Sequence, residues 1–261
     1  MPPSSPQSMT RAPRRSRPVR VADEIKQWVV EQDLQRGDRL PAEPEMIERF
    51  GMAKGTIREA MRILEAQGLI ETRTGPGGGS FVGEVSAERA RALLGNYFYF
   101  KNLTIADIYQ VRRVLEPELA ASLAGKLTDA QLAELEELAD QFPDPPRSAA
   151  GERAHHVGSL EVHARLASFA DNELLGFLIG FMSQILSDLT IYRRLYNPPN
   201  IELWRKGREC HQRLLVALRD GAAEEAREIM LEHMEAAEAM MITQEAEVQR
   251  RFMAEQRLGR L

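Results

Sequence analysis

A single cysteine, Cys210, stands in the 261 residues, so the chain has no internal disulfide and must hold itself together by packing. No apolar run reaches the roughly 18 residues that a membrane-spanning helix needs, which sets the expectation of a soluble protein with no membrane partner. The N-terminus is rich in Arg, Pro and Ser and lacks the apolar segment of a secretion signal. Together with the lone cysteine, this predicts a cytoplasmic protein. Also missing are a phosphate-binding glycine loop, a catalytic metal motif and a nucleophile paired with a base, so the sequence offers no case for an enzyme.

What is present is ordinary in bulk and uneven in distribution. The chain is long enough for two domains, each with its own core. Its net charge of −5 divides into +2 over residues 1–82 (13 Lys and Arg against 11 Asp and Glu) and −7 over the remainder (21 against 28). An acidic total is compatible with nucleic-acid binding, because phosphates respond to charge within a Debye length. Arg11, Arg14, Arg15, Arg17 and Arg20 form a small basic arm without an acid among them. Residues 1–18 read as a disordered, solvated tail, with phosphate tracking as the alternative.

Val21, Ile25, Trp28 and Val29 recur at helical spacing and predict a first helix over about 19–33. A short second helix is expected over Glu43–Phe50 and a third from Ile57 through Leu64 up to Gly68, with Gly51-Met52-Ala53 as the turn between them. Residues 69–73 alternate weakly, and the glycine-rich 75–79 leads into Ser80-Phe81-Val82, the pattern of a two-stranded hairpin. Beyond about residue 86 the pattern is helical throughout, giving six or seven helices. Thr104 with Asp107 and Thr128 with Gln131 have capping-box spacing. Breaks are expected at Pro143–Pro146 and Asn197–Asn200. The fold class is mainly α, with domains over 19–83 and 101–250, a joining stretch at 84–100 that starts the next helix, and a C-terminal tail at 251–261.

Glu43–Leu64 has the division of faces that a helix-turn-helix requires. Lys54, Gly55, Thr56, Arg58 and Arg62 lie opposite the apolar Ile57, Met61 and Leu64 stripe, where a second helix would enter the major groove. A small helical domain with a solvated basic face fits the spacing equally well. The motifs decide between them: Gly37-x-x-Leu40-Pro41-x-Glu43, Phe50-Gly51, Thr56-Ile57-Arg58-Glu59-Ala60, Leu64, Gly68-Leu69-Ile70 and a glycine-rich segment ending Phe81-Val82. This stretch resembles the winged helix of the GntR family of transcription regulators. The resemblance implies that the third helix reads a short inverted repeat in double-stranded DNA, that Arg58 contacts bases or phosphates, and that Arg73, Gly77 and Gly78 in the wing approach the duplex. Lys54, Ala53 and Pro44 depart from the residues common in that family, which implies an altered half-site preference and the loss of one contact at Pro44.

Three histidines fall on the apolar faces of three different predicted helices: His163 with Leu160 and Leu166, His211 before Leu214 and Leu215, and His233 with Met230 and Ala237. A lone histidine in such a place is ordinary core. Three that converge could hold a divalent ion, because neutral imidazole is a common ligand for one. The same region resembles the FCD domain of the FadR branch of GntR regulators, through Val111-Arg112-x-x-Leu115-Glu116-Pro117, His163 followed by Asn172, His211 and His233. The resemblance implies a site for zinc, nickel or manganese at His163, His211 and His233. Ser159 stands where metal-containing members carry an aspartate, so water, Glu161 or the effector is expected to complete the coordination. It also implies a small carboxylate effector anchored by Arg112, for which a salt bridge to Glu116 is the plainer reading. Tyr192, Arg193 and Arg194 are further candidates for effector binding.

The resulting expectation is a homodimeric, effector-responsive transcription regulator: a repressor that a small organic acid releases from its operator. Direct sensing of a metal ion is the alternative, and a metal-dependent enzyme using the three histidines a remote one.

Overall fold

A computed structural model describes residues 16–192, 195–196 and 198–258, the side chains of Tyr192, Gln249 and residues 251–258 apart. Arg11, Arg14 and Arg15 of the basic arm therefore lie outside the described residues. The chain divides into two compact units, Met1–Ala92 and Leu93–Leu261.

The first unit is a three-helix cluster with a hairpin. α1 (Arg17–Glu31), α2 (Glu43–Phe50) and α3 (Lys54–Ala66) precede β1 (Ile70–Arg73) and β2 (Gly79–Val82). Val21 and Ile25 of α1, Met46 of α2, and Ile57, Ala60 and Leu64 of α3 meet in one core. Each large side chain there contributes roughly 1.5–3 kcal/mol by leaving water. α1 begins two residues earlier than its pattern suggests, since Pro18 suits a helix's first turn, where its missing N–H costs no bond. α2 and α3 are separated by Gly51, which closes α2 with φ of 60°. The strands pair antiparallel in the register Ile70↔Val82 to Arg73↔Gly79. The Gly37–Leu40 segment runs along the hairpin's outer edge: the Leu40 N–H donates to the Ser80 carbonyl at 2.8 Å and the Gly37 N–H to the Val82 carbonyl at 2.9 Å. Those bonds account for the Gly37-x-x-Leu40 spacing, because Leu40 is then buried while Arg39 faces out.

α4 (Ala87–Tyr99) follows, spanning the boundary between the units. The second unit continues with α5 (Ile105–Leu123), α6 (Asp129–Asp140), α7 (Ala149–Ala167), α8 (Glu173–Tyr192), α9 (Ile201–Asp220) and α10 (Ala223–Leu258). Both capping boxes form, with the Asp107 N–H donating to Thr104 Oγ1 at 3.1 Å and the Gln131 N–H to Thr128 Oγ1 at 3.3 Å. The proline clusters fall between α6 and α7 and between α8 and α9. α10 lies along α5, and Leu119, Leu186, Leu218 and Met234 meet in one continuous core. The turns after α5 and α9 also touch, the Gly125 N–H donating to the Leu218 carbonyl at 2.8 Å.

Two expectations need correction. α10 is helical to Leu258, so residues 251–258, expected as a tail, extend the last helix; their Met, Ala, Glu, Gln and Arg are good helix formers and no Gly or Pro interrupts them. α8 also contradicts the expected absence of a long apolar stretch: Glu173–Ile191 has a mean hydropathy of 1.7, long and apolar enough to cross a bilayer. A third of that stretch is buried, Ile179, Met182 and Leu186 packing inside the unit, while Leu174 and Leu178 are exposed.

Candidate functional site

The exposed face of the first unit carries the polar residues that spacing placed on α3. Lys54, Gly55, Arg58 and Arg62 are exposed and Thr56 is half-buried, while Ile57, Ala60 and Leu64 point into the core. Ala53 supplies no side-chain cap, so the first turn of α3 leaves amide groups facing outward. Glu43, the first residue of α2, reaches across to this face. Its carboxylate accepts from Arg58 Nε at 2.6 Å and pairs with Lys54 Nζ at 3.2 Å. The Arg58 hydrogen bond is the main cause of a Glu43 pKa below the usual carboxylate value. Glu43 therefore holds two cations of α3 side by side, a partnership that the sequence reading did not identify.

In the hairpin, Arg73 pairs with Glu71 at 3.1 Å and its guanidinium lies 4.5 Å from the centre of the Phe81 ring. Gly77 is exposed with φ of 80°. Gly78 has no room for a side chain, since a Cβ would meet the Arg73 carbonyl oxygen at 2.5 Å. Arg39 Nη2 donates to the Gly78 carbonyl at 2.7 Å, which adds a guanidinium beside the wing that sequence reasoning had left out.

In the second unit the three histidines meet. His163 comes from α7, His211 from α9 and His233 from α10; all are buried. Their Nε2 atoms face one another, His163 to His233 at 3.1 Å and His163 to His211 at 3.3 Å, and one ligand atom from each lies within 4.8 Å of the others. On its other side, His163 Nδ1 lies 2.5 Å from Glu116 Oε2. The second Glu116 oxygen accepts from Arg112 Nε, one turn earlier on α5. Burial works against an ionised Glu116, but the charges and hydrogen bonds of Arg112 and His163 outweigh it and hold its pKa at about 2. Burial pushes His211 down to about 3 and His233 well below the ordinary value, so both rings are neutral with lone pairs available. The Nδ1 contact with Glu116 leaves the Nε2 of His163 turned toward the other two rings.

This cluster forms one wall of a cavity of about 60 Å³. Arg112 lines it and is almost fully buried; Nη2 has no hydrogen-bond partner among the described residues. Arg112 thus makes the salt bridge to Glu116 through Nε while its Nη2 lines the cavity. Ser159 also lines the cavity and is half-buried. Glu161 does not line it: the residue is exposed on the other face of α7, which removes it as a candidate to complete the site. The side chains of Tyr192 and Arg193, and Arg194 with them, lie outside the described residues. Sequence reasoning missed Glu152 and His156. Both are buried and line the cavity, on the α7 face that carries Ser159 and His163. Their i, i+4, i+7, i+11 spacing was visible, but polar residues at such positions read as a solvated stripe.

Comparison with known proteins agrees with this division. Residues 18–82 match the family described as "Bacterial regulatory proteins, gntR family", and residues 107–236 match the "FCD domain". The chain is 26% identical over 203 residues to the HTH-type transcriptional regulator LutR of Bacillus subtilis, covering 77% of this chain and 90% of that protein. It is 25% identical over 221 residues to the Uxu operon regulator of Haemophilus influenzae, covering 83% and 79%. A solved structure titled Streptococcus agalactiae GntR superposes with a TM-score of 0.58 at 25% identity, over 85% of this chain and 99% of that one. These relatives are transcription regulators, not enzymes. With a winged helix-turn-helix for binding DNA and a helical FCD domain behind it, the chain belongs to the GntR family of transcription regulators.

Proposed function

We propose that the protein is a homodimeric repressor whose FCD domain, within residues 101–250, holds a divalent ion and a small organic acid, and whose operator affinity falls when the acid binds. The observation that carries this reading is the convergence of three imidazole nitrogens in the cavity that also receives Arg112, whose Nη2 has no hydrogen-bond partner among the described residues. His163, His211 and His233 would hold zinc, nickel or manganese. The Glu116–His163 hydrogen bond supports it, because a carboxylate behind a ligating histidine fixes the tautomer and raises basicity. Such an ion would supply positive charge opposite an acid's carboxylate, and Arg112 Nη2 a directed N–H beside it. Water or the acid itself would complete the ligands, since Ser159 offers only a hydroxyl.

At the other end, Lys54, Gly55, Thr56, Arg58 and Arg62 of α3, with Arg73, Gly77 and Gly78 of the wing, meet the operator in the 19–83 domain, and residues 84–100 join the two. Two copies, acting in the cytoplasm, bind an inverted repeat. Coupling needs only that the acid prefer the arrangement with lower DNA affinity.

The test is elemental analysis and native mass spectrometry of protein never exposed to chelator, followed by operator titrations with and without candidate acids. One divalent ion per chain, and an operator affinity that falls with an acid, is the expected result. Protein that takes up no ion after reconstitution overturns the metal assignment, and operator binding that responds to the ion alone makes the ion the signal.

A further inference from the structure

The mechanism above uses one end of the cavity. Beyond Ser159, α7 carries Glu152, 4% exposed, with its Oε2 lacking any hydrogen-bond partner among the described residues. The backbone N–H of Asn200 serves the carboxyl, and nothing else offsets its burial. Buried carboxylates are rare unless paired, and a half-satisfied one is a cost that a merely structural position would not retain. Glu152 lies eleven residues before His163 on the same face of α7, about 16 Å along the helix axis at 1.5 Å per residue. It lines the same cavity as Arg112, whose Nη2 likewise has no hydrogen-bond partner among the described residues although its Nε pairs with Glu116. The rest of the lining combines Ser159, His155, His156 and Arg208, the last paired with Asp140 at 2.7 Å, with apolar groups such as Leu160 and Phe142.

We infer that Glu152 is a second anchor and the specificity-determining residue of the effector site, selecting acids that carry a hydroxyl remote from the carboxylate. This rests on the organic-acid reading of the cavity. The chemistry follows from the two ends. Arg112 donates to a carboxylate end. Glu152 offers a carboxyl oxygen, which a hydroxyl satisfies by donating and, when the carboxyl is protonated, also by accepting. A plain alkyl end leaves Oε2 unpaired as before, and at pH 8, the pH at which the three sets are compared, a second carboxylate meets an ionised carboxyl of its own sign. Discrimination by an unpaired buried polar group is strong, because the wrong ligand leaves the site's own atom unsatisfied.

The experiment measures binding to metal-reconstituted full-length protein by calorimetry. The probes are straight-chain acids of four to eight carbons in three matched sets: ω-hydroxy acids, unsubstituted acids and α,ω-dicarboxylates. The wild type is expected to bind at least one hydroxy acid tenfold or more tightly than its two matched partners. Glu152→Leu removes that preference by weakening the hydroxy acid tenfold and leaving the unsubstituted acid within threefold. Glu152→Gln, which keeps shape and hydrogen bonding without the charge, improves the dicarboxylate at least tenfold. Arg112→Met abolishes binding of all three. Acids that bind the wild type without preference, or a preference that survives Glu152→Leu, overturn the inference while leaving the organic-acid reading intact. Failure of all acids to bind the wild type overturns both. A misfolded Glu152→Leu would show in circular dichroism, and the Glu152→Gln dicarboxylate result then decides.

Discussion

His163 Nδ1 and Glu116 Oε2 stand 2.5 Å apart at the wall of the cavity, and this contact turns the imidazole so that Nε2 faces His211 and His233. Glu116 also neutralises Arg112, so one buried carboxylate touches both the histidine cluster and the guanidinium. Replacing it by Gln is expected to lower zinc affinity 10–100-fold, the usual effect of losing a carboxylate behind a ligating histidine. It also leaves the Arg112 charge unpaired, at a cost of about 3–5 kcal/mol in stability. Isothermal titration of zinc and thermal unfolding check the two effects separately. Unchanged zinc affinity would mean that the histidines orient themselves without Glu116.

Acid should loosen the FCD domain before Glu116 is protonated. His156 is pushed down to about 4 and His211 to about 3, in each case mainly by burial. Their protonation is easier in the unfolded chain, so stability declines once the pH falls below about 6.5, by about 1.4 kcal/mol per pH unit for each such group. Glu116 has the other form of the same sign: its pKa is depressed to about 2, so its contribution is present above about 4.5 and is lost as the pH falls toward 2. Unfolding of metal-free protein between pH 7 and 4.5 should therefore show the histidine slope, and His156→Gln should reduce it. A flat profile over that range would contradict the buried, neutral imidazoles.

Glu152 has the opposite pH dependence. Burial raises its pKa to about 7, so the folded state favours the protonated carboxyl. Its penalty is absent below about 4.5, grows as the pH rises and is complete above about 7, where it reaches on the order of 3 kcal/mol. Glu152→Gln should thus stabilise the ligand-free protein at pH 8 and make no difference at pH 4.5. At about 2–4 °C per kcal/mol, melting temperatures resolve this. A variant less stable than wild type at pH 8 would show that the ionised carboxyl has a partner.

Much of this was legible in the sequence because local rules and burial pointed the same way. Glu43–Phe50 is a helix with the bounds its apolar face predicted, and Thr104 and Thr128 cap the helices they precede. The three histidines were found because each sat among leucines or methionines at helical spacing, where an imidazole is conspicuous. Glu152, and the buried contact of Glu116 with His163, escaped for the converse reason. A glutamate on a helix is most often solvated, and only the tertiary packing of α5, α7 and α10 shows that these two are inside. Glu43 was read as part of a family motif, but its hold on Lys54 and Arg58 depends on the angle between α2 and α3, which no periodicity encodes. α10 outran its expected end because helix formers without a stop signal look the same in a tail and in a terminal helix.

The wing and α3 allow folding to be separated from DNA contact. At Gly55 a Cβ would meet nothing within 4 Å, whereas at Gly78 it would meet backbone oxygens at 2.5 Å and 2.8 Å. Gly55→Ala should stabilise α3 by up to about 1 kcal/mol. If the α3 backbone approaches DNA there, the same change weakens operator binding, an outcome that cannot be ascribed to unfolding. Gly78→Ala must displace the Arg73 or Gly75 carbonyl, so it should distort the hairpin and lower operator affinity while leaving zinc binding unchanged. Anisotropy titrations with a labelled operator, alongside thermal melts, distinguish the cases, and operator affinity unaffected by either change would remove both glycines from the interface.

Arg58 and Lys54 share Glu43, and they should answer differently to salt and sequence. Phosphates compete with Glu43 for Lys54, whose compact charge gives affinity without reading bases. Arg58, with a planar fork, can read a guanine edge. Lys54→Ala is expected to weaken binding about equally on operator and unrelated DNA and to reduce the salt slope by about 1. Arg58→Ala should cost about 1–3 kcal/mol on the operator and relax discrimination at one base position. Glu43→Gln frees both cations, so non-specific affinity should rise while operator preference falls, because Arg58 loses the carboxylate that fixes its direction. Salt-dependent titrations of the three variants on matched and scrambled duplexes measure each effect. If Glu43→Gln leaves both affinities unchanged, the ion pairs of the free protein have no bearing on how α3 meets DNA.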